Sequence, residues 1–469
     1  MGLERIYREA MALNTIDDLK QRESAAMAFF EKLNRTELPD RFNWASEIFE
    51  GLHVKDRGDQ DALIWADLAT GAERRYTYRE LAANGNRFLN FVRKNGVAPG
   101  HNLYMLTPIV PETWFASFAG IKGGLVSVPT ATTMTEREIR FRFEAYPPDV
   151  IVAFAGLTDL VDGALKKAAC TPRAKIVLGQ KDGWVPYAQI EMESAQADPA
   201  EVGKDDILFC FFTSGTTGLP KRVGHSATSY PVGHLSTAIV QGLAPGDVHH
   251  NLSAPGWAKW AWSSFFVPFN LGATATGFDF TALDADKYLS AIATYKVNSF
   301  CAPPTAWRAF VGLDLSHYDF SPMKYSLSAG EPLNPEVIEQ WKKATATEIR
   351  DFYGQTESTC MIGNPPWMEG RMRFGSFGRP SPMYDVILAN GYEPSKDLAL
   401  KLFQHTIDAL AKFKIPRIIE FVDELPKTIS GKIRRVELRE TEEKKKQDQA
   451  VAAHEYFYHQ FPALRSKTR

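Results

Sequence analysis

The stretch that decides the reading is Ile207–Lys221, ILFCFFTSGTTGLPK. Its first part, Ile207 to Phe212, is too short for an ordinary helix and bulky enough for a buried strand. The character then changes abruptly to small hydroxyl and glycine residues: Thr213, Ser214, Gly215, Thr216, Thr217 and Gly218, followed by Leu219, Pro220 and Lys221. Glycines let backbone N–H groups converge on an oxyanion, and hydroxyls add compact donors. Lys221 supplies a mobile positive charge. This is the chemistry of a phosphate cradle, although a plain strand-to-helix loop has the same composition. It is not a Walker loop: five residues beyond Gly215 stands Pro220, and five beyond Gly218 stands Val223, where that motif needs a Gly-Lys pair.

Working outward, strand-like and helix-like segments alternate. DALIWA (61–66) reads as a strand, and Leu81, Phe88, Leu89 and Val92 fall at helical spacing before Gly96. Strands follow at 102–107, 125–129, 149–154 and 175–178, with a helix at 112–123. Residues 1 to about 60 read as a helical lead-in. This rhythm predicts an α/β fold with a largely parallel, doubly wound sheet. Beyond the cradle, the segments 296–304, 324–331 and 348–357 each carry a strand that ends in small, polar or glycine residues. Ligands of open α/β sheets collect beyond the carboxyl ends of strands.

The bounds agree with a soluble globular protein. The chain has 469 residues, 44% hydrophobic and 23% charged, with net charge −2. That balance argues against a general nucleic-acid binder. Cys170, Cys210, Cys301 and Cys360 form no C-x-x-C pair, so zinc or a disulfide framework is not expected, and reduced thiols in a cytoplasmic setting are. No apolar run is long enough to cross a bilayer. The charge run RETEEKKKQDQ near the end reads as a solvated helix. Ser214 lies in T-S-G-T rather than a G-x-S-x-G elbow, which disfavours a serine hydrolase.

TSGTTGLPK resembles the signature loop of the adenylate-forming, or AMP-binding, superfamily, which includes acyl-CoA synthetases, peptide-synthetase adenylation domains and beetle luciferases. YGQTE (353–357) resembles the family string in which the threonine meets the nucleotide phosphate and the glutamate meets Mg²⁺. The resemblance thus assigns catalytic roles to Thr356 and Glu357, with Glu357 as the metal ligand; locally, a helix cap would look the same. One glutamate suffices for Mg²⁺, which takes one or two carboxylates beside phosphate oxygens. Gly330, Glu331 and Pro332 resemble the adenine loop, and Asp351, Phe352, Tyr353 and Gly354 the opposite adenine wall. Phe352 and Tyr353 also fit as core aromatics, since neighbours on a strand face opposite ways. Trp257 and Trp260, in WAKWAW, are candidates for limiting acyl size; core packing or a partner surface would use the same residues. LPKTISGKIRR (425–435) resembles the C-terminal catalytic loop, so Lys432 is the expected bridge between the reacting carboxylate and the α-phosphate.

The chain departs from the family in one place. Only 54 positions separate Gly378 from Lys432, where the family's counterparts lie much farther apart. The Y-x-T-G-D string that holds the ribose and the G-R-x-D-[DE]-x-I-K hinge region are both absent. The resemblance implies an internal deletion between Leu388 and Gly391. It divides the chain into an adenylation domain at 1–388, lacking its last subdomain, and a shortened α+β remnant of the catalytic-lysine domain at 389–469. The implied reaction is ATP- and Mg²⁺-dependent ligation of a medium-chain, branched or aromatic carboxylic acid to coenzyme A through an acyl-adenylate. The alternative is a non-catalytic nucleotide- or acyl-binding derivative. A luciferase-like oxidoreductase shares the early motifs, with nothing here in its favour, and a homo-oligomer is left open.

Overall fold

The computed structural model describes residues 3–213, 221–381 and 400, together with the backbones of 418–420 and 455–457. The chain separates into two compact units, Met1–Asp385 and Val386–Arg469. The first unit carries strands β1 (Asp61–Asp67), β2 (Glu73–Thr77), β3 (Asn102–Leu106), β4 (Val126–Pro129), β5 (Val150–Phe154) and β6 (Ala174–Leu178). These are followed by β7 (Val185–Pro186), β8 (Ile207–Thr213), β9 (Lys221–Ser226), β10 (Val248–Asn251), β11 (Thr274–Asp279) and β12 (Ser299–Ala302). Then come β13 (Tyr325–Ala329), β14 (Ile349–Gly354), β15 (Cys360–Gly363) and β16 (Arg379–Pro380). In the second unit β17 (Ile418–Glu420) pairs antiparallel with β18 (Glu455–Phe457).

Two sheets form the first unit. One has seven strands in the order β7-β6-β5-β3-β4-β8-β9, and the other nine in the order β16-β15-β14-β13-β12-β10-β11-β1-β2. Parallel pairing dominates both, with the antiparallel strands at the margins: β9 in the first sheet, and β2, β15 and β16 in the second. The expected α/β architecture with parallel-rich sheets and flanking helices is the one observed.

Between the sheets runs the helix Pro111–Lys122, nearly all of it buried. Its Trp114 ring fills the space beside Gly277 of β11, while Gly120 lies against Ser127 of β4. A helix covered on every side is apolar all round, which is why this segment lacks an amphipathic stripe. The helix Tyr78–Lys94 is of the opposite kind. A capping box between Thr77 and Glu80 starts it, and Leu81, Phe88, Leu89 and Val92 turn inward. The lead-in forms the helices Leu3–Leu13 and Leu19–Asn34 and the π-helix Ala45–Val54.

The cradle differs from a strand-to-helix loop. It joins β8 to β9 as a hairpin, with Thr213 opposite Lys221. KRVGHS carries no bulky apolar face, so β9 is held by its partner strand rather than by its own pattern.

Candidate active site

The parallel neighbours β10, β12, β13 and β14 end on one edge of the larger sheet. Gly330, Glu331 and Pro332 leave the end of β13, with Gly330 and Pro332 exposed. Asp351, beside Ser328 on the next strand, is buried and supports this loop from below. Its carboxylate accepts the Leu333 N–H at 3.3 Å and the Phe352 N–H at 3.0 Å. Burial pushes its pKa up to about 7, against the lowering effect of those two bonds and of Lys259. Lys259 in turn donates to the Ala329 carbonyl at 3.4 Å. Asp351 therefore acts on the loop's backbone.

Phe352 departs from its expected place on the adenine wall. Its ring is buried in a cluster with Val240, Cys301, Leu327, Ala329 and Cys360, because strand alternation turns it away from Tyr353. Tyr353 stays partly exposed, its ring 5.6 Å from Phe377 and its hydroxyl accepting from Gln355 Nε2 at 2.6 Å.

After Gly354 the chain makes a tight turn, with the Ser358 N–H donating to the Gln355 carbonyl at 3.0 Å. Thr356 and Glu357 take its two central positions, Thr356 partly and Glu357 fully exposed. Gly354 is required by crowding: a Cβ there would lie 2.7 Å from the Trp262 ring. The Thr356 carbonyl accepts from His225 Nε2 at 2.6 Å and from the Tyr230 hydroxyl at 3.4 Å. Since a carbonyl only accepts, His225 carries its proton on Nε2. Burial holds its pKa down at about 4, so the ring is neutral. Neither His225 nor Tyr230 stood out in the sequence, where the one signal is that His225 lies four residues past Lys221.

The hairpin brings Thr213 and exposed Lys221 side by side at the mouth of the cradle. Ser214, Gly215, Thr216, Thr217 and Gly218 lie outside the described residues, as do Lys432, the seam between Leu388 and Gly391, and the charged run near the end. Two guanidinium groups flank the hairpin, Arg142 over the Phe212 ring at 5.1 Å and Arg222 over Tyr146 at 4.8 Å.

The two acyl-pocket candidates part company. Trp257 is 65% exposed, whereas Trp260 is 1% exposed and meets Trp114 edge-on at 5.0 Å. Trp260 belongs to the interior between the sheets, so its ring cannot line an open pocket; this corrects its expected role. Trp262, on the π-helix Ala261–Phe266, is the ring that reaches the turn. Gly256, with φ of +100°, packs against Ala131 so closely that no Cβ fits, which brings the loop after β10 onto the loop after β4.

Among the described residues no three His, Cys, Asp or Glu side chains cluster as a metal cage. An exposed Glu357 on a turn tied to β9 nonetheless fits Mg²⁺, which draws its remaining ligands from phosphate and water.

The model of the AMP-binding enzyme family matches residues 52–396, and that of its C-terminal domain residues 378–432. The chain belongs to the AMP-binding enzyme family. Its relatives within that family are AMP-forming acid–CoA ligases. It is 36% identical to 4-hydroxybutyrate–CoA ligase 1 of Metallosphaera sedula, covering 89% of this chain and 94% of the relative. It is 31% identical to the mitochondrial acyl-coenzyme A synthetase ACSM3 of Mus musculus, covering 75% of this chain but only 62% of that protein. The fold is similar to that of the anthranilate CoA ligase AuaEII solved with anthranoyl-AMP, with a TM-score of 0.69 at 23% identity over 87% of this chain and 99% of the other. A Brucella canis acyl-CoA synthetase gives a TM-score of 0.67 at 21% identity, over 90% and 98% of the two chains. The first match spans 535 aligned positions but takes in 89% of the 469 residues here, about 417, so roughly 118 positions of the relative have no counterpart in this family member.

Proposed function

We propose that the protein ligates a small to medium-sized carboxylic acid to coenzyme A, through an acyl-adenylate formed at the carboxyl ends of β13 and β14. The observation that supports this most is the meeting of three segments there: the 330–333 loop carried by Asp351, the Thr356–Glu357 turn, and the hairpin that begins again at Lys221. A carboxylate oxygen of the acid attacks the α-phosphorus of ATP and the bond to pyrophosphate breaks. The sulfur of CoA then attacks the acyl carbon, and AMP leaves with the electron pair of the C–O bond.

In this reading Lys221 and the 213–218 cradle hold the departing pyrophosphate. Thr356 contacts the phosphate, Glu357 holds the metal, and Lys432 bridges the reacting pair. Bound Mg²⁺ would neutralise phosphate charge as it develops. Gly330, Glu331, Pro332, Tyr353 and Gly354 would frame the adenine, with Asp351 and Phe352 acting through the backbone they fix. Trp257 is the aromatic side chain left to meet the acid, and Trp262 closes the space beside Gly354, which favours a shallow pocket. A relative that ligates a four-carbon hydroxy acid agrees with modest acyl size. The functional units are 1–388 and 389–469, and the chain works in the cytoplasm on small molecules rather than nucleic acid. Among the described residues no helix is long and apolar enough to cross a membrane.

ATP–pyrophosphate exchange over a panel of acids tests this. Acid-dependent exchange is expected. A second reading, a binding protein that has lost turnover, is favoured by the unmatched positions and the absent ribose and hinge strings. ATP or AMP binding without exchange for any acid would establish that reading instead.

A further inference from the structure

We infer that His225 is a positioning residue that fixes the Thr356–Glu357 turn against the cradle hairpin, with Tyr230 as its second tie. The inference rests on the reading of that turn as the phosphate- and metal-binding element. His225 sits on β9, the strand that leaves the cradle, and its Nε2–H reaches 131 residues along the chain to the Thr356 carbonyl. The imidazole lies flat on the Tyr230 ring, with centroids 3.6 Å apart and planes inclined by 22°. Trp262 donates its indole N–H to the Tyr230 oxygen at 3.0 Å, and the Tyr230 hydroxyl donates to the Thr356 carbonyl at 3.4 Å.

The donors run in one direction. Trp262 donates to Tyr230, and Tyr230 and His225 both donate to one carbonyl, which has two lone pairs to receive them. With its carbonyl drawn inward, the turn presents the Thr356 and Glu357 side chains outward. The cradle and the turn come from different sheets, so a rigid link between them sets the distance between the cation at Lys221 and the carboxylate at Glu357. Phosphoryl chemistry depends on that kind of preorganisation. The same relay reaches the aromatic segment through Trp262.

His225→Phe retains the stacked ring and removes the donor, whereas His225→Gln restores an N–H at similar reach. The expected result is a rise of roughly five- to tenfold in the KM for MgATP in His225→Phe, with the KM for the acid unchanged and most of the loss recovered in His225→Gln. In the unliganded protein, hydrogen–deuterium exchange at the Ser358 amide should quicken in His225→Phe and return in His225→Gln. An unaltered KM for MgATP in His225→Phe, or equal impairment in both variants, overturns the inference. If wild type neither binds nor turns over MgATP, the functional reading fails while the exchange data still decide the tie: faster exchange in His225→Phe supports it, and unchanged exchange refutes it.

Discussion

Five imidazoles are buried in the first unit: His53, His225, His234, His249 and His250. Burial is the largest cause of the lowered pKa in each, to about 3 for His53 and His249 and about 4 for His225. His234 and His250 are displaced in the same direction. His249 lies between Ser299 and Ser263, and His250 between Thr276 and Tyr288; these hydrogen bonds favour the charged ring, but burial outweighs them and keeps both neutral. Unfolded, each would titrate near 6.5. Between the two values the unfolded chain binds more protons, so stability is present above about pH 6.5 and is lost as pH falls toward 4.

At pH 5 an unfolded imidazole is protonated about thirty to one, which favours unfolding by about 2 kcal/mol per histidine. His53, His225 and His249 together give about 6 kcal/mol, and His234 and His250 add to it. Asp351 acts in the opposite sense. Its folded pKa of about 7 against 3.8 unfolded returns about 2 kcal/mol on the same descent, and Glu112 and Asp279, raised by burial, act with it. Over His53, His225, His249 and Asp351 alone the loss is about 4 kcal/mol, a large part of an ordinary domain's stability. The urea midpoint, followed by tryptophan fluorescence, should therefore fall by roughly 1 M between pH 7 and pH 5. His249→Gln keeps hydrogen-bonding groups at that site and should shrink the difference. An equal or higher midpoint at pH 5 would refute the reasoning, because it would mean that the imidazoles titrate normally in the folded chain.

Trp260→Ala should cost about 3–5 kcal/mol of stability without altering the order of preferred acids, whereas Trp257→Ala should leave stability unchanged and shift that order; urea midpoints and an acid panel separate the two. Asp351→Asn keeps an oxygen for the Leu333 N–H but does not titrate. Nucleotide affinity should weaken below about pH 7 in wild type, as the carboxylate takes a proton, and lose that dependence in the variant when dissociation constants are compared across pH. Glu357→Gln should lower pyrophosphate exchange at least about tenfold at limiting Mg²⁺, recover in part at high Mg²⁺, and leave the urea midpoint unchanged, since the side chain is exposed.

The parallel strands were legible because short apolar runs broken by glycine or polar turns carry their own signal, and β12, β13 and β14 each end where that pattern breaks. The hairpin was not, because β9 takes its strand form from β8. Trp257 and Trp260 looked equivalent in one aromatic string. Trp257 precedes the short helix Ala258–Trp260 in extended backbone, and that change of conformation sends the two rings to different environments. Phe352 and Tyr353 were separable only by knowing which face of β14 meets the core. His225 is the clearest case of what one-dimensional reading misses: its partner is a backbone carbonyl distant in sequence, and no residue type advertises that contact.

The shortened chain divides the expected reaction unevenly. The supports for the proposed adenine loop, the proposed metal turn and the start of β9 all lie within residues 207–360, ahead of the seam that the resemblance places between Leu388 and Gly391. The absent strings are those that would hold the ribose and hinge the C-terminal unit. Ribose and phosphate contacts contribute about 1–3 kcal/mol each, so on the proposed reading their loss should weaken nucleotide affinity by orders of magnitude yet leave the groups proposed to hold the departing pyrophosphate. Thioester formation should suffer more, because the absent G-R-x-D-[DE]-x-I-K string is the hinge of the C-terminal unit that the resemblance calls for. The first half-reaction should therefore outlast the second. At saturating ATP, acid-dependent pyrophosphate exchange should exceed CoA-dependent thioester formation by well over an order of magnitude, with free acyl-adenylate accumulating. Equal rates for the two steps would mean that the chain changes arrangement without the hinge string, and that the residues around the seam have taken over its work.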